Sequence, residues 1–84
     1  NPAYVDSYYN LGYIFIQIRD YKEALINFDK AIKARPESNY KSYYGRAYAY
    51  EMLGDVIKAK ADYRKAIEQM PMYRPAMDGL ARLQ

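Results

Sequence analysis

The chain has no cysteine and no histidine. The first absence excludes a disulfide framework and a thiolate metal site. The second removes the commonest general base and the commonest zinc ligand. No nucleophile–base constellation, phosphate-cradling glycine loop or metal-ligand spacing occurs anywhere. The sequence therefore offers no catalytic residue, no metal site and no cofactor site, and an enzyme is not expected. No apolar run approaches the roughly 18 residues of a membrane span. Charge of one sign is scarce too: 13 basic and 10 acidic residues are interspersed, for a net charge of +3. A chain that neutralises many phosphates is normally more lopsided. At 84 residues the core can be only modest, as in one small domain or a piece of a larger protein. The start at Asn1, without an initiator Met, favours a fragment or processed segment. The lack of a signal peptide then says nothing about compartment.

Tyrosine is what the chain has in excess: twelve, beside two Phe and no Trp. The stretch SYYNLGY at residues 7–13 returns as SYYGRAY at 42–48. Residues 5–38 laid over 40–73 give identities at Ser7/Ser42, Tyr8/Tyr43, Tyr9/Tyr44, Tyr13/Tyr48, Asp20/Asp55, Ala24/Ala59, Lys30/Lys65, Ala31/Ala66, Ile32/Ile67 and Pro36/Pro71. Gly12/Ala47, Phe15/Tyr50 and Phe28/Tyr63 match conservatively. The chain is an internal repeat.

Apolar residues within each unit step by three and four, the period of a helix. Tyr8, Leu11, Gly12, Phe15 and Ile18 form one such stripe, and Ala24, Phe28, Ala31 and Ile32 another. Asp20 and Glu23 stand at capping-box spacing between them. In the second unit Gly54 suits a left-handed C-cap and Asp55 an N-cap. Arg19 occupies the place of Gly54, where a positive φ costs a non-glycine residue about 1 kcal/mol, so a looser first turn is expected. Pro36 and Pro71 close the second helix of each unit. The pattern predicts helices at 5–18, 21–34, 40–53, 56–70 and 74–83.

Tyr8-x2-Leu11-Gly12-x2-Phe15, then Ala24-x3-Phe28-x2-Ala31 and Pro36, resembles a tetratricopeptide repeat. Tyr43, Ala47, Tyr50, Ala59, Tyr63, Ala66 and Pro71 write it again, with Arg46 where Leu is expected. The final RPAMDGLARLQ is similar to the first helix of a further unit. The resemblance implies an all-α fold of antiparallel helix-turn-helix repeats, stacked as a right-handed α-solenoid of about five helices. Residues 1–4 are then the tail of a preceding unit, 5–39 the first repeat and 40–73 the second. Residues 74–84 form a capping helix or a truncated third repeat. Small residues (Gly12, Ala24, Ala31 and their counterparts) let paired helices approach. Tyr8, Phe15, Phe28, Tyr43, Tyr50 and Tyr63 fill the space between, each burying on the order of 2–3 kcal/mol of apolar surface.

Tyr9 and Tyr13 share a helix face turned away from that stripe, and Tyr44 and Tyr48 repeat the arrangement. In the family this face lines a concave groove that binds extended peptides or partner helices. The resemblance thus implies a groove of Asp6, Tyr9, Asn10, Tyr13, Ile16 and Gln17 from the first unit. The second adds Lys41, Tyr44, Gly45, Tyr48, Glu51 and Met52, and the last helix Asp78 and Arg82. The four tyrosines are expected as a two-by-two floor, rigid and cheap to order against a ligand. Gly45 either opens space in that floor or is a weak helix position costing about 1 kcal/mol. Asn10 and Lys41 are compatible with the family's clamp for a chaperone C-terminal carboxylate, but Gly45 stands where its Arg belongs.

A protein or peptide partner is therefore expected, in a protein–protein interaction scaffold. One rival is an RNA-binding helical repeat whose aromatics stack bases, disfavoured by nearly neutral groove charge (Asp6 and Glu51 against Lys41 and Arg82). Another is a structural or oligomerisation spacer without its own ligand. Ile14 and Ile18 are expected to be covered by a preceding repeat, by self-association through the N-terminal helix face, or by Tyr4 and Val5 folding back. Lys58, Lys60, Arg64 and Lys65 read as a solvated outer face, and Met70, Met72 and Met77 as gap fillers under the last helix.

Overall fold

The computed structural model describes residues 2–84, in five helices and no strands. They are α1 (Pro2–Gln17), α2 (Tyr21–Ala34), α3 (Tyr40–Met52), α4 (Val56–Gln69) and α5 (Arg74–Leu83). Each helix after α1 keeps the expected limits to within a residue. Residues 2–4 continue α1 as its first turn, and Asn1 lies outside the described residues. Helices α1/α2 and α3/α4 form hairpins, and α5 packs on α4. The fold is a helical-hairpin solenoid, a slab 35 × 26 × 17 Å, two helix layers thick.

The two hairpin turns are built alike despite their different residues. Arg19 takes φ 64° where Gly54 takes φ 86°. Asp20 N–H donates to the Phe15 carbonyl at 2.8 Å, and Asp55 N–H to that of Tyr50 at 2.9 Å. The first turn is thus no looser than the second, and Arg19 absorbs the cost of the left-handed conformation. Asp20 and Asp55 cap α2 and α4, accepting from the N–H groups of Glu23 at 3.3 Å and Lys58 at 3.2 Å. Only that half of the capping box forms. The Asp20 N–H that Glu23 would have accepted is already committed to Phe15.

Ala24, Ala31, Ala47, Ala59 and Ala66 are fully buried where the helices cross. Phe28 and Tyr63 are the largest fully buried side chains, and glycines surround them. A Cβ on Gly12 of α1 would come within 2.7 Å of the Phe28 ring, and one on Gly45 of α3 within 2.4 Å. A Cβ on Gly79 of α5 would lie 2.4 Å from the Tyr63 ring. The aromatic of each second helix therefore lies against the following unit through a glycine window. Gly45 is not merely a weak helix position. It lets α3 approach α2.

Polar groups tie successive units together. The Asn39 side chain reaches back from the start of α3 to donate to the Ala31 and Arg35 carbonyls at 3.0 and 2.9 Å. Gln69 accepts from Asn39 N–H at 2.7 Å and donates to the Pro36 carbonyl at 2.9 Å. The first inter-repeat turn, residues 35–39, is one residue longer than the second, 70–73. Arg46, standing in the expected Leu position, makes a bidentate pair with buried Asp62 at 2.7 and 2.9 Å. It also donates to Asp29 at 2.9 Å, so one guanidinium joins α2, α3 and α4. Its counterpart Leu11 is exposed.

The ends of the stack carry apolar surface. Ile14 and Ile18 are exposed, and Tyr4 and Val5 belong to the same continuous α1 rather than folding back over them. Met70 and Met72 are exposed rather than filling gaps. Met72 and Met77 instead line an open apolar cleft of about 500 Å³ with Ile67 and Leu80. On α4, Lys58 and Lys65 pair with Asp55 and Glu68 at 4.0 and 3.4 Å. No helix among the described residues is long and apolar enough to cross a membrane.

Candidate functional site: a tyrosine-lined concave face

Curvature follows from which helices touch. Helix α3 touches both α1 and α5, whereas α2 and α4 do not meet each other. The layer of α1, α3 and α5 is thus the tighter one, and its outer surface is the concave side. On α1 and α3, Tyr43 is buried and Phe15 and Tyr50 pack half-buried against the core, while Tyr8 is half-buried with Lys30 Nζ 5.5 Å from its ring centroid. Residues one position further round each helix, Tyr9, Tyr13, Tyr44 and Tyr48, emerge on the concave side.

Two adjoining clefts lie there. The first, about 260 Å³, is lined by Tyr13, Ile16, Tyr44, Gly45 and Tyr48. The second, about 400 Å³, is lined by Tyr9, Asn10, Tyr13 and Ile14. Tyr13 belongs to both and makes them continuous. The four rings do not form a flat two-by-two floor. Tyr9 and Tyr44 are half-buried and lean on the core aromatics, Tyr9 6.0 Å from Phe28 and Tyr44 5.9 Å from Tyr63. Tyr13 is 46% exposed, its ring 6.1 Å from that of Tyr9. Tyr48 sits edge-on to Tyr21 at 6.4 Å. Gln17, Lys41 and Met52 are exposed but line neither cleft, as are Asp6 and Asp78.

Two tyrosines that the repeat comparison passed over, Tyr73 and Tyr40, pack on from Tyr44 against the core and line neither cleft. Tyr73 packs edge-on against Tyr44 at 5.7 Å and against Tyr40 at 4.9 Å. Both stand at the end of an inter-repeat turn, at or next to the first residue of a first helix. That position was the available signal. Burial raises the phenol pKa of Tyr9, Tyr44 and Tyr73, and neighbouring tyrosines such as Tyr13 add to it, against the opposing charge of Arg82 at Tyr44. All three remain uncharged hydroxyl donors well past neutral pH.

Two of the charged groups expected in the groove, Glu51 and Arg82, are paired with each other, whereas Asp6, Lys41 and Asp78 stand exposed. Arg82 donates to both carboxylate oxygens of Glu51 at 3.0 and 3.1 Å. Tyr63 donates its hydroxyl to Glu51 at 2.6 Å. The Arg82 hydrogen bond holds the Glu51 carboxyl below the usual range. The hydrogen bond to Glu51 keeps Arg82 charged. This trio joins α3, α4 and α5 and removes a free cation and a free anion from the concave face. What remains is aromatic, hydroxyl-rich and nearly neutral.

Residues 5–38 and 40–73 each match a model of the tetratricopeptide repeat. The chain belongs to the tetratricopeptide repeat family, whose helical hairpins serve as protein–protein interaction scaffolds. It is also 43% identical over 61 residues to the tetratricopeptide repeat and J domain-containing co-chaperone DNJ1 of Fusarium oxysporum f. sp. lycopersici. That match covers 73% of this chain and 12% of the relative.

Proposed function

We propose that this segment is a non-catalytic adaptor that holds an extended peptide or partner helix on its concave face. The observation that carries the reading is the continuous cleft around Tyr13, Tyr44 and Tyr48, floored by Gly45. Large, stiff rings with a hydroxyl give contact area at a low ordering cost. Tyr13 supports the reading most, since close to half its surface is open and the fold gains little from its ring there. Tyr9, Asn10, Tyr44 and Tyr48 complete the proposed contact set, with Gln17, Lys41 and Met52 at its margins. Arg82 acts in this reading as a structural tie to Glu51 rather than as a ligand clamp. A co-chaperone among the relatives supports a partner that is itself a polypeptide.

The test is affinity capture with the wild-type chain beside a Tyr13→Ala/Tyr48→Ala variant, both shown to be folded by circular dichroism. A protein recovered only by the wild type supports the groove. Recovery of nucleic acid would favour the RNA-binding alternative, and identical recoveries from both baits would make the tyrosines scaffold alone.

A further inference from the structure

The chemistry of the concave face narrows the class of partner, given the groove reading above. Three properties define that face. Its central cleft is mainly aromatic, with Tyr13, Tyr44 and Tyr48 around Ile16 and Gly45. None of the residues lining that cleft is charged, and the nearby Glu51 and Arg82 are paired with each other. The face presents tyrosine hydroxyl groups, and burial raises the phenol pKa of half-buried Tyr9 and Tyr44, so that these two stay protonated as neutral donors.

We infer that the cleft between α1 and α3 receives a proline-rich segment in the polyproline II conformation. Such a segment has no internal hydrogen bonds and presents its carbonyls outward. Its prolines bring acceptors but no N–H donors. A cleft rich in hydroxyl donors and lacking free carboxylates complements it. Proline rings pack on aromatic faces, and the segment is already extended, so little ordering entropy is lost on docking.

The spacing agrees. Tyr13 and Tyr48 are equivalent residues on helices that touch. Packed helices have axes about 8–10 Å apart. One polyproline II turn, three residues rising about 3.1 Å each, advances about 9 Å. A segment crossing α1 and α3 thus repeats its face from one tyrosine to the next. An acidic tail fits worse, because the cleft has no free cation. The rings and hydroxyls could also stack single-stranded RNA, which the test separates.

The experiment is calorimetric titration of the chain with three probes: an oligoproline peptide, a glycine–serine peptide of the same length, and oligouridine. In parallel, a random peptide library is selected on the same chain. Oligoproline binding, weakened at least about tenfold by Tyr13→Ala and again by Tyr48→Ala, is the expected result. The glycine–serine peptide should not bind. Tyr13→Phe should retain the ring contact and lose only part of the affinity, whereas a ring that merely packs the fold would show no difference in binding. Selected peptides that need Tyr13 and Tyr48 but contain no proline would overturn the proline-rich partner and leave the groove standing. Selected peptides indifferent to both substitutions would overturn the groove itself. Oligouridine binding through the same tyrosines, without oligoproline binding, would overturn both.

Discussion

Gly45→Ala separates two explanations of one residue. If Gly45 were simply a poor helix former, alanine would stabilise α3 by about 1 kcal/mol. The structure predicts the reverse. An added Cβ would lie 2.4, 2.6 and 2.8 Å from Cζ, Cε1 and Cε2 of Phe28. Comfortable carbon contacts are about 3.5–4.0 Å, so the shortfall at the closest atom exceeds an ångström. The Phe28 ring is fully buried and is held on the other side by Gly12, so it has nowhere to turn. Overpacking of this kind costs about 1–3 kcal/mol, and this overlap belongs toward the upper end. After the propensity gain, a net destabilisation of about 1–2 kcal/mol is expected. For a domain of this size each kcal/mol corresponds to a drop of about 4–8 °C in Tm. Urea denaturation followed by circular dichroism reads it as a lower midpoint at unchanged slope. In a Phe28→Leu background the same substitution should cost markedly less, because the ring it strikes is smaller and the pair is coupled. A midpoint that rises in the Phe28 background would refute the glycine-window reasoning.

Other outcomes follow from the same geometry. Arg19→Gly, at φ 64° in an exposed turn, should stabilise the chain by about 1 kcal/mol, read in the same urea titration; an unchanged or lower midpoint counts against it. Arg46→Leu restores the residue usual at that repeat position but strands Asp62, 9% exposed at its side chain. It should cost about 2–3 kcal/mol, while Arg46→Leu with Asp62→Leu should recover most of that loss; a double variant no better than the single one would contradict the network. Alkaline pH should unfold the chain for a definite reason. Burial, then the bond to Glu51, raises the Tyr63 phenol well above its ordinary value, and burial raises Tyr9, Tyr44 and Tyr73. A raised native pKa gives stability that is intact below about pH 10 and lost as pH climbs through the higher native values. Tyrosinate absorbance should therefore develop later in the native chain than in urea, and coincident curves would refute this.

The repeat was legible because its signals are redundant. Helical spacing, paired Asp caps and paired prolines all mark the same boundaries, so the helix limits survive even a substitution such as Arg for Gly at position 19. Contacts made by one residue with several elements left no such trace. Arg46 reads as a departure until Asp29 and Asp62 are brought beside it from α2 and α4. Gly45 and Gly79 stand in equivalent places, yet their purpose depends on rings from the preceding unit. On the concave face, the helical period separated Tyr9 and Tyr13 from Tyr8 without ambiguity. It could not reveal that Tyr40 and Tyr73 pack on from Tyr44, because both sit at turns where the period gives no direction. Likewise Arg82 and Glu51 are far apart in sequence, and only the stacking of α5 on α3 and α4 turns two groove charges into one neutral pair.

The most direct test of the concave face as the working surface is site-specific photo-crosslinking to a captured partner. A photoreactive phenylalanine analogue is placed at Tyr48 in one sample and at Arg64, an exposed position on α4, in another. The account predicts a covalent adduct with the partner from position 48 and none from position 64. An adduct from position 64 alone would put the binding surface on the outer layer and contradict it.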